Sequence, residues 1–178
     1  DVFRCYLMFM GPYDEGGDWN DRGITGIAKF LNRIYTILAI EEGDDDLDTD
    51  KMIHKTLKIV TEDLDNFKFN TAISRMMEMS NFLISSNTLS KSSKEFICKM
   101  ISPFAPHLGE EIWRESLSNE GSVFSSGWPK HNPSFLAEST VSIAIQINGK
   151  LRGSLEVDKG IDKESAIHLS KKIENVKK

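Results

Sequence analysis

Cysteine is scarce in this chain: two among 178 residues, Cys5 and Cys98, far apart and each in a helix-like apolar context. That excludes a disulfide framework, which needs more cysteines at closer spacing, and favours reduced thiols of a cytoplasmic protein. Long apolar runs are missing as well. Nothing approaches the roughly 18 consecutive apolar residues of a membrane helix. The short apolar stretch over 2–10 carries Arg4, which is unlike a secretory signal. Positive charge is in deficit: 22 Lys and Arg against 27 Asp and Glu leave a net charge of −5, which argues against a strongly basic nucleic-acid binder. Histidines are few and scattered. No Ser/His/Asp or Cys/His arrangement can be assembled, and no glycine-rich phosphate loop follows a strand.

What is present is apolar enough to fold. Hydrophobic residues make up 39%, with ten Phe and three Trp, so a core is affordable and disorder is excluded. Charge is unevenly spread. Residues 140–178 hold eight Lys/Arg against five Asp/Glu, a net of +3, which leaves −8 on residues 1–139. A mildly basic tail on an acidic body can track phosphates locally while the body avoids non-specific RNA. The chain opens at Asp1 without Met, and its last helical pattern runs into Lys177-Lys178 with no stop signal, so both ends read as cuts.

Periodicity predicts helices over most of the length. A short one over 2–10 stops at Gly11-Pro12 and turns through Gly16-Gly17. Asp18 or Asn20 then offers an N-cap to a long helix reaching about Glu42, with Ile24, Ile27, Ala28, Leu31, Ile34, Tyr35 and Leu38 as its apolar stripe. An acidic linker over 43–50 precedes a helix over 51–66 built on Met52, Ile53, Leu57, Val60 and Leu64. Asn70 caps a third, using Ala72, Ile73, Met76, Met77, Leu83 and Ile84. A fourth starts near Ser92 or Ser93 and breaks at Pro103 and Pro106, and His107 to Leu117 continues it. The expectation is a mainly α, antiparallel helical bundle over 1–139.

The pattern then changes. After a Gly/Ser/Pro-rich connector over 118–137 holding Trp128-Pro129, Val141, Ile143, Ile145 and Ile147 alternate with polar or small residues. Asn148-Gly149 marks a hairpin, and a helix follows from about Asp162. A two-residue turn would set Ile147 opposite Lys150 and put every apolar residue against a polar one, so an odd-length loop containing Gly149, with a bulge, is expected. One hairpin and one helix make a partial α+β appendage over 140–178 that is marginal alone.

Five segments, in order, resemble one family. The stretches "FMGPYDEGGDW", "GITGIAKFLNRIY" and "FNTAISRMMEMSNFL" resemble the helical region that follows the catalytic domain in class I aminoacyl-tRNA synthetases of the leucine, isoleucine, valine and methionine group. "SPFAPHLGEEIW" is similar to that bundle's shared Pro-Phe-x-Pro-His-x-x-x-Glu-x-x-Trp helix, and "IQINGKLRGSLEV" resembles the C-terminal domain of bacterial and organellar leucyl-tRNA synthetases. The family's two ATP-site signatures and its editing domain are absent. The resemblance therefore implies an anticodon-binding-type helical domain over 1–139, residues 1–17 being a junction from the catalytic domain, plus the start of the C-terminal domain over 140–178. Such a part is not catalytic alone; ATP and magnesium belong to the parent enzyme, and no cofactor is expected here. Its implied partners are the leucine tRNA, held by shape and backbone, and the rest of the synthetase chain, in a monomeric cytoplasmic enzyme. The rival expectations are a helical protein-interaction module without RNA, and the matching part of an isoleucyl or valyl enzyme.

Candidate RNA contacts follow. Arg22, Lys29 and Arg33 fall together by steps of seven and four residues, on the face expected to lie opposite the apolar stripe. The family's helix has a basic pair at the places of Lys29 and Arg33; Lys at the first removes a bidentate donor but keeps the charge. Lys150 and Arg152, at and after the hairpin turn, either clamp phosphates or guard an edge strand. Three other clusters read as structural. His107, Glu110 and Glu111 share a helical face but lack a second histidine cluster to complete a metal site. The Asp44-Asp45-Asp46 run, with Asp48 and Asp50, lacks the Gly and Glu that a calcium loop needs; a solvated linker capping the next helix is expected. Met76 and Met77, beside Met79, are expected in the core, with Trp113 as a core anchor and Trp128 as an anchor of the connector.

Overall fold

The computed structural model describes residues 1–136, 140–147, 150–158 and 160–170. It is mainly helical and divides into two compact units, Asp1–Phe135 and Leu136–Lys178. The first contains α1 (Val2–Phe9), α2 (Asp21–Leu38), β1 (Glu41–Glu42), α3 (Leu47–Asp65), α4 (Phe69–Leu83), β2 (Thr88–Leu89), α5 (Lys91–Ile101) and α6 (Pro106–Glu111), the last running into a wider π-type turn at Ile112–Ser116. α3 and α4 pack as a hairpin, α1 lies against α2 and α4, and α5 closes the bundle on α3 and α6. The expected helical bundle is present.

Its details depart from the expectation in physically traceable ways. The buried stripe of α2 is Ile27, Phe30, Leu31, Ile34, Ile37 and Leu38, an unbroken i, i+3, i+4, i+7 series. Tyr35 is half exposed, while Phe30 and Ile37, outside the expected stripe, are buried. The helix stops at Leu38 and not near Glu42, because Glu41 and Glu42 pair in parallel with Thr88 and Leu89. This bridge is backed by the acidic linker. Asp45 accepts from Ser90 N–H at 2.8 Å, Ser90 Oγ at 2.5 Å and Ser93 Oγ at 2.6 Å, tying the α2–α3 connection to the start of α5. Asp46 caps α3 by accepting from Thr49 N–H at 2.7 Å, and this bond holds its carboxyl below the usual range. The linker is therefore partly a fastening, not only a solvated span.

Other caps also move. Asn20 caps α2, accepting from Arg22 N–H, and Ser90 caps α5. Asn70 lies inside α4 and caps nothing; Met79 is fully buried there, Met77 only partly, and Ile84 is exposed. α3 ends in a Schellman closure, Lys68 N–H to Asp63 O at 2.7 Å and Phe67 N–H to Leu64 O at 3.2 Å. The residue in the left-handed position is Phe67, with φ +56°, where glycine is usual. Its exposed ring meets Tyr13 and Phe69.

Both cysteines are buried free thiols, pushed up to about 12 by burial and so held neutral. The connector after the π-type turn returns across α3. Trp128 Nε1 donates to Thr61 Oγ1 at 2.9 Å, and Asn132 N–H donates to His54 Nδ1 at 3.2 Å. Phe135 stacks on the His54 ring at 4.8 Å while Phe96 meets it edge-on.

Burial lowers the pKa of His54, and His131 adds to that effect, against opposing pulls from Asp50 and Asp45. The sign follows directly. Below about pH 6.5, the ordinary histidine value, the unfolded chain takes up a proton that the folded chain refuses. The stabilisation is thus whole above that pH and is lost as pH falls towards the folded-state pKa. Urea midpoints measured at pH 7.5 and 5.5 are expected to differ more for the native chain than for His54→Gln. Equal differences in the two proteins would rule out His54 as the source.

The second unit holds β3 (Thr140–Ile147), β4 (Lys150–Asp158) and α7 (Lys163–Ser170), which Asp162 caps through Glu164 and Ser165 N–H. Here the expected register is overturned near the turn: Ile147 pairs with Lys150, leaving only two residues between them. The conformation of Asn148 and Gly149 lies outside the described residues. The bulge exists but sits further along. Ile145 pairs with Gly153 and Gln146 with Leu151, so Arg152 is the extra residue. Beyond it the apolar residues do meet, Ile143 with Leu155 and Val141 with Val157. A tight turn and an apolar register are reconciled by moving the extra residue out of the loop and into the strand.

Candidate nucleic-acid interface

The start of α2 is set by α1. Tyr6 is buried, its hydroxyl donates to Asn20 O at 2.8 Å and accepts from Asn20 N–H at 2.9 Å. Its ring lies where a Cβ on Gly23 would fall, so that glycine is dictated by close packing. Trp19 stands edge-on to Tyr6 and donates to Asp21 Oδ1 at 2.7 Å. From Arg22 to Leu38 the helix then contains no acidic residue and carries Arg22, Lys29 and Arg33. This is a run of +3 inside a body of −8.

Arg22 and Lys29 are exposed and Arg33 is half buried. At 100° and about 1.5 Å per residue the three fall within a narrow row, with gaps of roughly 10 and 6 Å along the axis. The row borders the buried stripe instead of lying opposite it, which corrects the expectation. Arg33 shows why: its Nη1 donates to Asn81 Oδ1 and, at 3.3 Å, to Ser80 Oγ, so it is laid against α4. Ser80 is itself fully buried and donates to Met77 O. Among the described residues none of the three cations forms an ion pair, whereas the α4 arginine, Arg75, is paired with Glu78 at 2.7 Å. Arg22, in the first turn, adds its charge to the positive end of the helix dipole, an arrangement that disfavours the helix and suits an external anion.

Gly26 falls inside this row and was not among the sequence candidates. A Cβ there would meet nothing within 4 Å. A glycine inside a helix costs about 0.5–1 kcal/mol relative to alanine, and among the described residues no packing contact accounts for it. The available signal in the sequence was the glycine itself, four residues after Arg22 and three before Lys29.

Lys150 pairs with Ile147 in the backbone register and Arg152 occupies the bulge. Their side chains lie outside the described residues. The clusters read as structural are engaged elsewhere. His107 Nδ1 lies 2.9 Å from Asp1 Oδ1, Glu110 accepts from Ser122 Oγ and lies 3.6 Å from Arg114 Nε, and among the described residues no His/Cys/Asp/Glu group is arranged to hold a metal. Trp113 is buried, with Lys99 Nζ 5.2 Å from its ring centroid. Among the described residues no helix is long and apolar enough to cross a membrane.

Comparison with known proteins places this geometry. The family model for the anticodon-binding domain of tRNA ligase matches residues 50–167. A leucine–tRNA ligase of Chlorobaculum parvum is 39% identical over 186 aligned positions, covering 100% of this chain and 23% of that one. One from Rubrobacter xylanophilus is 40% identical, covering 99% of this chain and 23% of its own length. The chain thus spans about a quarter of these relatives, and the alignments include α2, which precedes the family match. Among solved structures, the ternary complex of Agrobacterium radiobacter LeuRS with tRNA and LeuAMS superposes with a TM-score of 0.77 at 24% identity, over 99% of this chain and 26% of that one. That likeness establishes a shared fold.

Proposed function

Since this chain belongs to the family of anticodon-binding domains of tRNA ligases, we propose that it grips the body of a leucine tRNA for a leucine-specific ligase and performs no chemistry itself. The observation that carries the reading is helix α2, which has no acidic residue after Asp21 and whose Arg22, Lys29 and Arg33 line one row of an otherwise acidic bundle. Contacts of this kind bind phosphates and position RNA without reading its sequence. Holding the tRNA body in one orientation lets its distant end reach an active site elsewhere, so the contribution to the parent reaction is positional. We place leucine, ATP and magnesium outside these 178 residues, because neither ATP-site signature occurs in the sequence. Lys150 and Arg152 are proposed as auxiliary phosphate contacts, and the parent enzyme as a cytoplasmic monomer. The isoleucyl and valyl alternative is not favoured, since the relatives named above are leucine enzymes.

Binding of labelled leucine tRNA, with a valine tRNA beside it, tests the reading across a salt series. The expected result is affinity that falls linearly on logarithmic axes. Three phosphate contacts from α2 predict a slope of roughly −2 to −3. RNA binding indifferent to salt, or none beside a stable protein partner, would favour a protein-interaction module instead.

A further inference from the structure

The geometry points to Gly26 as the place where the sugar–phosphate backbone of the bound RNA comes against helix α2 itself, a contact made possible by a missing side chain. The inference rests on the RNA reading above and specifies where and how that binding occurs. Four observations converge on it. Gly26 is exposed, in the interior of an 18-residue helix, and a Cβ built on it would touch nothing. The other glycine of the same helix, Gly23, is explained internally by the ring of Tyr6, so the contrast lies within one element. Gly26 stands four residues after Arg22 and three before Lys29, inside the cationic row, and no carboxylate occurs on the helix from Arg22 onward. Arg33, the far end of the row, is laid against Ser80 and Asn81 of α4, so that end is fixed before any ligand arrives.

Glycine inside an exposed helix weakens it, and among the described residues nothing benefits. The benefit therefore lies with something outside that needs the helix surface bare. Next to Arg22 and Lys29 that something is anionic. A helix surface without a Cβ admits a ribose or phosphate to van der Waals contact with the backbone, while the flanking cations neutralise phosphates on either side. The same vacancy would be indifferent to a freely diffusing small anion, which reaches the cations without pressing on the helix. It matters for a strand that must lie along the row.

The test is one substitution read in two ways, on the chain as it stands. Gly26→Ala is expected to raise Tm by about 2–4 °C, since it strengthens the helix and meets no obstacle. It is expected to weaken leucine tRNA binding about tenfold, equivalent to about 1.4 kcal/mol, and Gly26→Leu further, with the salt slope unchanged because no charge is lost. Higher Tm with unaltered tRNA affinity would overturn the inference while leaving the cationic row intact. A lower Tm would overturn it too, by showing that the glycine serves the fold. Failure of the unsubstituted chain to bind tRNA in a salt-dependent way would instead remove the reading on which it rests.

Discussion

Phe104→Ala is expected to destabilise the bundle by about 3–5 kcal/mol, the range for emptying a buried aromatic site that cannot collapse. The side chain is 1% exposed and sits between the two prolines that separate α5 from α6. Around it the backbone is tightly held: Phe104 N–H and Ala105 N–H both donate to Ile101 O, at 3.0 and 2.9 Å. The same junction is crowded. A Cβ on Gly109 would run into Ser102, whose hydroxyl donates to Cys98 O at 2.6 Å, and the Cys98 thiol donates to Gly109 O at 3.3 Å. Helices α5 and α6 thus have no slack to close over a cavity, and Phe69, whose ring meets Phe104 edge-on at 6.4 Å, would lose a neighbour. Against a total stability of order 5–15 kcal/mol, the expected fall in Tm is roughly 10 °C or more. Phe124→Ala is the control, because that ring is 57% exposed and its loss should stay within about 0.5 kcal/mol. A Phe104→Ala chain melting within a degree or two of the parent would mean that α5 and α6 move independently.

How far the fold was legible in the sequence depends on the length of each feature. Helices of many turns announce themselves by spacing, and all the long ones were expected near their true places. The parallel bridge of Glu41–Glu42 with Thr88–Leu89 was not legible, because two residues have no periodicity and their pairing is set by where α2 and α5 come to rest. The stripe of α2 was misjudged for a related reason. Apolar residues occupy more than half its circumference, so pattern alone does not say whether Tyr35 or Ile37 faces inward; the position of α4 decides. In the hairpin, the conflict between a two-residue turn and an apolar register was visible, and a bulge was the right remedy. Its location at Arg152 was not, since a bulge leaves no mark on composition. For the site, spacing placed Arg22, Lys29 and Arg33 on one row. That Arg33 leans on Asn81, 48 positions away, depends on tertiary packing and could not be read.

That last point shapes the prediction with the largest expected effect on binding. Replacing Arg22, Lys29 and Arg33 together by glutamine should lower tRNA affinity at low salt by roughly 10²–10³-fold and reduce the salt slope by about 2–3, since each phosphate contact removed takes about one from it. The single variants separate position from charge. Arg22→Gln and Lys29→Gln change exposed side chains that have no partner among the described residues, so Tm should hold while the slope drops by about one each. Arg33→Gln should do both, losing about 1 kcal/mol with its bonds to Ser80 and Asn81 as well as its charge. Arg33→Lys then decides which role matters. Lysine keeps the charge but not the forked guanidinium that can hold α4 and a phosphate at once. A slope restored with affinity still reduced would assign Arg33 to orientation. Full recovery would leave it a plain countercharge. Arg75→Gln, which removes a cation already paired with Glu78 on α4, should leave both slope and affinity unchanged. If the triple variant bound as tightly as the parent, with the same slope, the RNA-contacting surface would not be α2, and Lys150 and Arg152 would be the next cations to neutralise.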